Sequence, residues 1–433
     1  MRSVHAGRDH TTVARLFRLW LPTVFGASML VVEIPVVAAA AARSTDGGRA
    51  LAAIGVGMSL LVVVNTPALA ITPLIAIERG RRSVGQLRRY TAVVGVLGTL
   101  ILAILAVPPG SAAVRALFGL DQATAGAVSA FLAGLAPNSL GVAIRRYQHG
   151  RLVHARRTGP IVWATLVRLA VTGVAAWFGT AALPDDGPLV AGAALSAGAF
   201  LEAAVLHVFR TGAHKPTEPT AGGWAALIVH HGHLSAGRLL VMIPPVITII
   251  GVAHAAEAAD SLIVWPVLVQ LVALFTSPTT DWESVAAAAL RDDPRNRAPW
   301  RLTAGLAAAL TGLLAVALAT GPADAFVRNL LAVPSAAADL GLGWAWTLIP
   351  LPCLWITRAY LRGAVMAADA SSWLSAASAA HAVALIGTFV TVARMAVPGV
   401  ACAGIALVTG VLIETATIGY ARYATHEREH RPA

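Results

Sequence analysis

"AIRRYQHGRL" at residues 143–152 and "WITRAYLRGAV" at residues 355–365 close two long apolar runs with one pattern, Arg-x-Tyr-x-(His or Arg)-Gly. Arg145 and Arg358, Tyr147 and Tyr360, and Gly150 and Gly363 are each 213 positions apart. Tyrosine occurs only five times in 433 residues, so its agreement argues for duplication rather than chance. Pro137 and Pro350 keep the same spacing, as do Val114/Val327, Arg115/Arg328 and Leu117/Leu330 in "VRALFGL" and "VRNLLAV". "VNTPALA" and "FTSPTTD" repeat a proline at Pro67 and Pro278, 211 apart. Self-similarity at a fixed spacing marks a doubled structural unit.

The unit is a membrane one. Hydrophobic residues make up 57% of the chain and charged residues 12%, with a mean hydropathy of +0.72. An ordinary soluble domain carries about 25% charged residues. Apolar runs long enough to cross the hydrocarbon core recur throughout. They lack period-2 alternation, which excludes a barrel and leaves helices that satisfy their own backbone groups. Twelve spans are expected near 15–41, 51–77, 90–108, 123–144, 160–182, 188–209, 223–250, 260–280, 301–320, 337–357, 373–394 and 398–420. The expectation is therefore an all-α polytopic membrane protein of about 12 transmembrane helices, built as two parallel six-helix repeats. Residues 1–210 form the first lobe, 211–222 a cytoplasmic linker ("TGAHKPTEPTAG"), and 223–433 the second lobe with a short cytoplasmic tail.

Charge fixes the expected orientation. "ERGRRSVGQLRR" (78–89), "RRYQHGRLVHARR" (145–157) and "RDDPRNRAPWR" (291–301) alternate with arginine-poor loops such as "PDDGP" (184–188). The positive-inside rule places both termini in the cytoplasm, and the plasma membrane is the expected location. The net charge of +11 is read as topology and contact with anionic lipid, not as a nucleic-acid surface. Cys353 and Cys402 fall in or near spans and imply neither disulfides nor a thiolate metal site. Arg145 and Arg358 are expected to anchor their helices at the headgroups, with Gly150 and Gly363 letting the chain turn.

A loop of the "PLIAIERGRRSVG" type (73–85) matches the major facilitator pattern only loosely. The amphipathic segments before helices four and ten, and the basic glycine-containing ends of those helices, resemble the multidrug/oligosaccharidyl-lipid/polysaccharide (MOP) superfamily. That superfamily includes multidrug and toxin extrusion (MATE) exporters and lipid-linked flippases. "RAYLRGAVM" (358–366) and "WPVLVQL...SPTTDWESVAAAALRDDPRN" (265–296) are most similar to its progressive-ankylosis (ANK) type. The resemblance implies V-shaped lobes and the export or flipping of a small organic solute, antiporter-like on an H+ or Na+ gradient or driven by the substrate's own gradient. A major-facilitator-type transporter is the alternative, and a polyprenyl-processing membrane enzyme a weaker one. The latter needs clustered Mg2+-binding aspartates, and only Asp292 and Asp293 are adjacent. No cofactor, no catalytic residue and a monomer are expected, with the bilayer and a small-molecule substrate as partners.

Ionisable groups inside lipid are functional candidates by default. Glu33 in "MLVVEIPVV" is the foremost, as a proton-binding carboxyl. Arg238 in "HLSAGRLLVMIPPV" is expected to hold an anionic substrate or to pair with Glu33. His231, Ser235 and Arg238 form one polar stripe; His230 and His233 lie elsewhere, and no metal is expected. Arg168 and Glu202 are expected at one depth as an ion pair, and Glu414 is read as snorkelling to the cytoplasmic face. Asn65 and Gln270 are further substrate or coupling-ion candidates. Pro67, Pro278 and Asp281 are read as hinge or gate positions, since proline frees a helical carbonyl.

Overall fold

The computed structural model describes residues 12–78, 82–155, 157, 159–209, 223–279, 282–368, 370 and 372–430. Among these, helices account for nearly everything. The first half runs α1 (Val13–Ala41), α2 (Gly47–Val64), α3 (Thr66–Glu78), α4 (Val84–Ala106), α5 (Gly110–Leu117), α6 (Gln122–Leu135), α7 (Asn138–His154), α8 (Gly159–Ala182) and α9 (Gly187–Val208). The second half runs α10 (Trp224–Ala253), α11 (Ala258–Thr276), α12 (Trp282–Asp292), α13 (Ala298–Thr320), the single turn α14 (Pro322–Asp324), α15 (Ser335–Trp344), α16 (Leu351–Ala367), α17 (Ser372–Ala393) and α18 (Gly399–His430). The expected linker 211–222 and Asp281 lie outside the described residues.

Each expected span has its helix. Among the described residues, nine helices are long and apolar enough to cross a bilayer, and α15 with α16 makes a tenth bent by 41°. α1 and α10 span 29 and 30 residues and contribute the apolar stretches Val31–Ala41 and Met242–Ala253. Breaks fall where proline removes a backbone donor: α2 to α3 at Asn65–Pro67, α6 to α7 at Pro137, α11 to α12 around Pro278, and the α15–α16 bend at Pro350. The third and fifth helices of each half, α4, α8, α13 and α17, present the lipid-facing surface. Leu97, Leu100 and Ile104, Trp163 and Phe178, Leu313 and Val316, and Val383 and Val390 are all exposed there.

α1 and α10 cross over between the halves. α1 packs on α8 and α9 but also on α11 and α13, and α10 packs on α17 and α18 but also on α2 and α3. The crossings use the broken helices reciprocally. Trp20 of α1 donates its indole N–H to the Pro278 carbonyl at 3.0 Å, and His231 of α10 donates from Nε2 to the Pro67 carbonyl at 2.9 Å. Both the donors and the acceptors are 211 positions apart. Each bond thus ties a crossing helix to the backbone of the other half's break.

The motif glycines do not turn the chain. Gly150 and Gly363 sit inside α7 and α16, which continue to His154 and Ala367. A Cβ on Gly150 would stand 2.7 Å from the Thr72 carbonyl oxygen of α3, and one on Gly363 would stand 2.5 Å from the Glu283 carbonyl of α12. Both are close-approach glycines that seat the fourth span against the second half of the broken second span.

Candidate functional site

Two buried carboxylate clamps organise the polar interior. On α9, Glu202 accepts from Arg145 Nη1 (2.8 Å), His149 Nε2 (3.0 Å) and Arg168 Nη1 (3.2 Å). On α18, Glu414 accepts from Arg358 Nη1 (2.8 Å), Arg362 Nη1 (3.3 Å) and His381 Nδ1 (2.8 Å). Arg145/Arg358, His149/Arg362 and Arg168/His381 are each 213 apart, and the two glutamates 212. The opening motif is thus the fourth-span part of a clamp that each half builds from its fourth, fifth and sixth spans.

This corrects two expectations. Arg145 and Arg358 do not reach headgroups, because each is drawn inward onto a carboxylate. Glu414 does not snorkel: it is 3% exposed and held by three donors. A charge buried this deeply is tolerated when its partners satisfy it. The expected Arg168–Glu202 pair is present.

The other candidates fall as follows. Glu33 is buried and meets Arg168 rather than Arg238: Arg168 Nε donates at 2.8 Å, Nη2 makes a second bond, and Thr172 Oγ1 donates at 3.0 Å. This ties α1 to α8. His231 spends both ring nitrogens, accepting from Tyr90 Oη at 2.7 Å on Nδ1 and donating to Pro67 on Nε2. Asn65 accepts from Ser139 Oγ at 2.5 Å and donates to Asn138 at 3.3 Å, bracing the α2–α3 break against α7. The Gln270 side-chain oxygen and Ser235 Oγ are buried without a hydrogen-bond partner. Arg238 is exposed, and among the described residues it has no ion pair. His230 binds Glu78 at 2.8 Å, so the histidines of α10 do not converge on one point.

Three features were not singled out from sequence. Arg146 lies in the fields of Arg145, Arg168 and Arg238, opposed there by Glu202, and its Nε is buried without a partner. His381 was overlooked, although its 213-residue offset from Arg168 was readable. The third is a cavity of about 300 Å³ beside α1, where α11 breaks into α12. Thr276, Ser277, Thr279 and Glu283 line one side, and Arg358 and Arg362 of α16 the other. Arg362 Nε also donates to Glu283 at 2.9 Å, so this arginine spans from the cavity to the Glu414 clamp.

Comparison with solved structures follows the same architecture. The chain superposes on an inward-facing multidrug resistance MATE family transporter of the MOP superfamily with a TM-score of 0.70, at 13% identity over 92% of this chain and 96% of that one. An outward-facing MATE transporter of that superfamily gives 0.63 at 13% identity, covering 99% and 100%. The lipid II flippase MurJ in an inward closed conformation gives 0.67 at 12% identity, covering 94% and 87%. No family model and no curated protein sequence matches the chain. At these identities the likeness establishes architecture alone: the chain shares the fold of those MATE transporters and of MurJ.

Proposed function

We propose that this protein is a secondary membrane transporter, exporting or flipping a small anionic organic solute by alternating access between its two lobes. The observation that carries the reading is the surplus of arginine at the meeting of the halves. Arg146 and Arg238 have no carboxylate partner among the described residues, and Arg358 and Arg362 face a cavity of solute size. Of these only Arg146, with its Nε buried and unpartnered, lacks counter-charge inside the protein; such a cation is expensive, and an anionic ligand removes that cost. The reading takes the arginine-rich side as the open one. On the opposite side, Arg43 at the end of α1 donates to the Leu330 and Asn329 carbonyls of the second half at 2.9 and 3.2 Å, in keeping with closure there.

Glu33 serves in this reading as a coupling group: a proton taken by its carboxyl would release Arg168 and loosen α1 from α8. Gln270, with a bare buried oxygen, supplies a hydrogen-bond acceptor in the same interior. Pro67 and Pro278 are the hinges. The finer resemblance to the ANK type draws support from position, because its two stretches meet at the cavity through Arg358, Arg362 and Thr276 to Glu283. The test is solute flux into proteoliposomes, run for organic anions, cationic dyes and polyprenyl phosphates. Anion flux that falls in Arg238→Ala and Glu33→Gln proteins supports the reading; flux of cations alone, or variants equal to wild type, rejects it.

A further inference from the structure

The cavity and the Glu414 clamp share two residues, which makes the charge state of one the business of the other. Arg358 and Arg362 point both ways: each donates to Glu414, and each lines the cavity. Arg358 Nε is buried and has no partner, so one donor of the cavity-lining arginine is left unsatisfied. On the far side of Glu414 stands His381, 6% exposed, with Nδ1 at 2.8 Å from the carboxylate and Nε2 buried without a partner. Against an ionised carboxylate Nδ1 must carry the proton, which leaves Nε2 a bare lone pair. Nε2 faces Gly410 of α18, where the missing side chain makes room for the ring.

We propose that the cavity binds an anion together with a proton, the anion on Arg358 and Arg362 and the proton on His381. The proposal rests on the transporter reading above and adds, beside the coupling group Glu33, a second proton site in contact with the anion cavity. With His381 neutral, the fixed charges of the group, Arg358, Arg362, Glu283 and Glu414, sum to zero. An anion entering then meets arginines already neutralised by carboxylates. Protonating His381 gives Glu414 a third cationic partner and raises the sum to +1. The arginines are then less committed to Glu414, and an incoming anion restores neutrality. Anion and proton therefore favour each other's binding, and by linkage the effect is reciprocal. Histidine is the side chain suited to such an exchange near neutral pH.

The groups facing His381 are those just named. α16 contributes Arg358 and Arg362, α18 contributes Glu414, and Glu283 of α12 acts through Arg362. On α10, which also packs against α17, His230 and His231 are held by Glu78 and Tyr90, away from this clamp. The first half has its histidine at His149 instead, bonded to Glu202 at 3.0 Å.

The test is calorimetric titration of the purified full-length protein with sulfate and with methanesulfonate, anions whose own charge is constant across the range. Wild type is expected to bind about tenfold more tightly at about pH 6 than at about pH 8, a coupling of ordinary size. Titrations in buffers of different ionisation enthalpy should show close to one proton taken up per anion. His381→Asn should keep anion binding and lose both the pH dependence and the proton uptake. Wild-type binding without proton uptake, or uptake that survives in His381→Asn, overturns the proposal and leaves anion transport standing. No binding of either anion at either pH overturns the proposal and the anionic substrate with it. If His381→Asn does not fold, the wild-type proton count alone decides.

Discussion

The two carboxylate clamps descend from one plan and have diverged in what they touch. Around Glu202 the side chains of Arg145, His149 and Arg168 are 6%, 11% and 10% exposed, and the glutamate itself is 0%. Around Glu414 the arginines are 26% and 17% exposed and open onto a cavity. The extra carboxylate also differs in origin. In the first half Glu33 comes from α1 and closes the clamp across α8; in the second, Glu283 comes from α12 and lies in the cavity wall. A duplicated ion pair is thus closed in among helices in one copy and set beside a cavity in the other. The divergence needs no change in backbone, only a change in which neighbouring helix brings the fourth charge.

That contrast is breakable, and the largest expected effect is on stability. Glu202→Gln leaves Arg145 and Arg168 buried with less counter-charge and should cost about 3 to 5 kcal/mol. Glu414→Gln should cost visibly less, since its arginines can turn to the cavity. Thermal unfolding of both variants in detergent checks the order, and equal losses would erase the distinction. Next comes function: Arg358→Gln should reduce anion affinity at least about tenfold with little loss of stability, as expected where a ligand anion loses one charge-assisted bond. Arg145→Gln should do the reverse. Isothermal titration beside melting curves separates the two.

A smaller effect tests what the halves still share. Gly150→Ala and Gly363→Ala each push a methyl against backbone at 2.7 or 2.5 Å, so each should cost about 1 to 3 kcal/mol by overpacking. A loss in one but not the other would mean that only one copy keeps the α3–α7 style of contact. The smallest effect concerns the crossing helices. Trp20→Phe removes the hydrogen bond to the Pro278 carbonyl and should destabilise by about 1 kcal/mol; His231→Phe removes the bond to the Pro67 carbonyl, also strands the buried Tyr90 hydroxyl, and should cost about 2 kcal/mol. Cysteine cross-linking across the two halves should report a matching shift in their spacing.

The spans, the doubling and the two proline breaks were legible because each is written along the chain, as apolar length, as offset and as residue type. The clamps were half legible. Arg145 and Arg358 stood out through the motif, but their carboxylates lie on another helix, and sequence distance does not encode which helix is adjacent in space. Glu414 was misread because its position near a helix end looks like access to water, and only packing shows three donors around it. Glu33 stood out as an ionisable group inside a span, yet its expected arginine was the wrong one: Arg168 of α8 holds it rather than Arg238 of α10. Arg168 and His381 could have been paired by the 213-residue offset, had chemical similarity rather than identity been sought.

The reciprocal bonds from Trp20 to Pro278 and from His231 to Pro67 also say something about ancestry. If the six-helix unit once existed alone, two copies related by a twofold axis would have made one and the same contact twice. Each copy would lend its first helix to the other's broken second helix, so that neither was complete without its mate. Fusion into one chain would then have changed nothing in the contact itself. It would only have made the partner permanent, and so freed the two copies to acquire different chemistry.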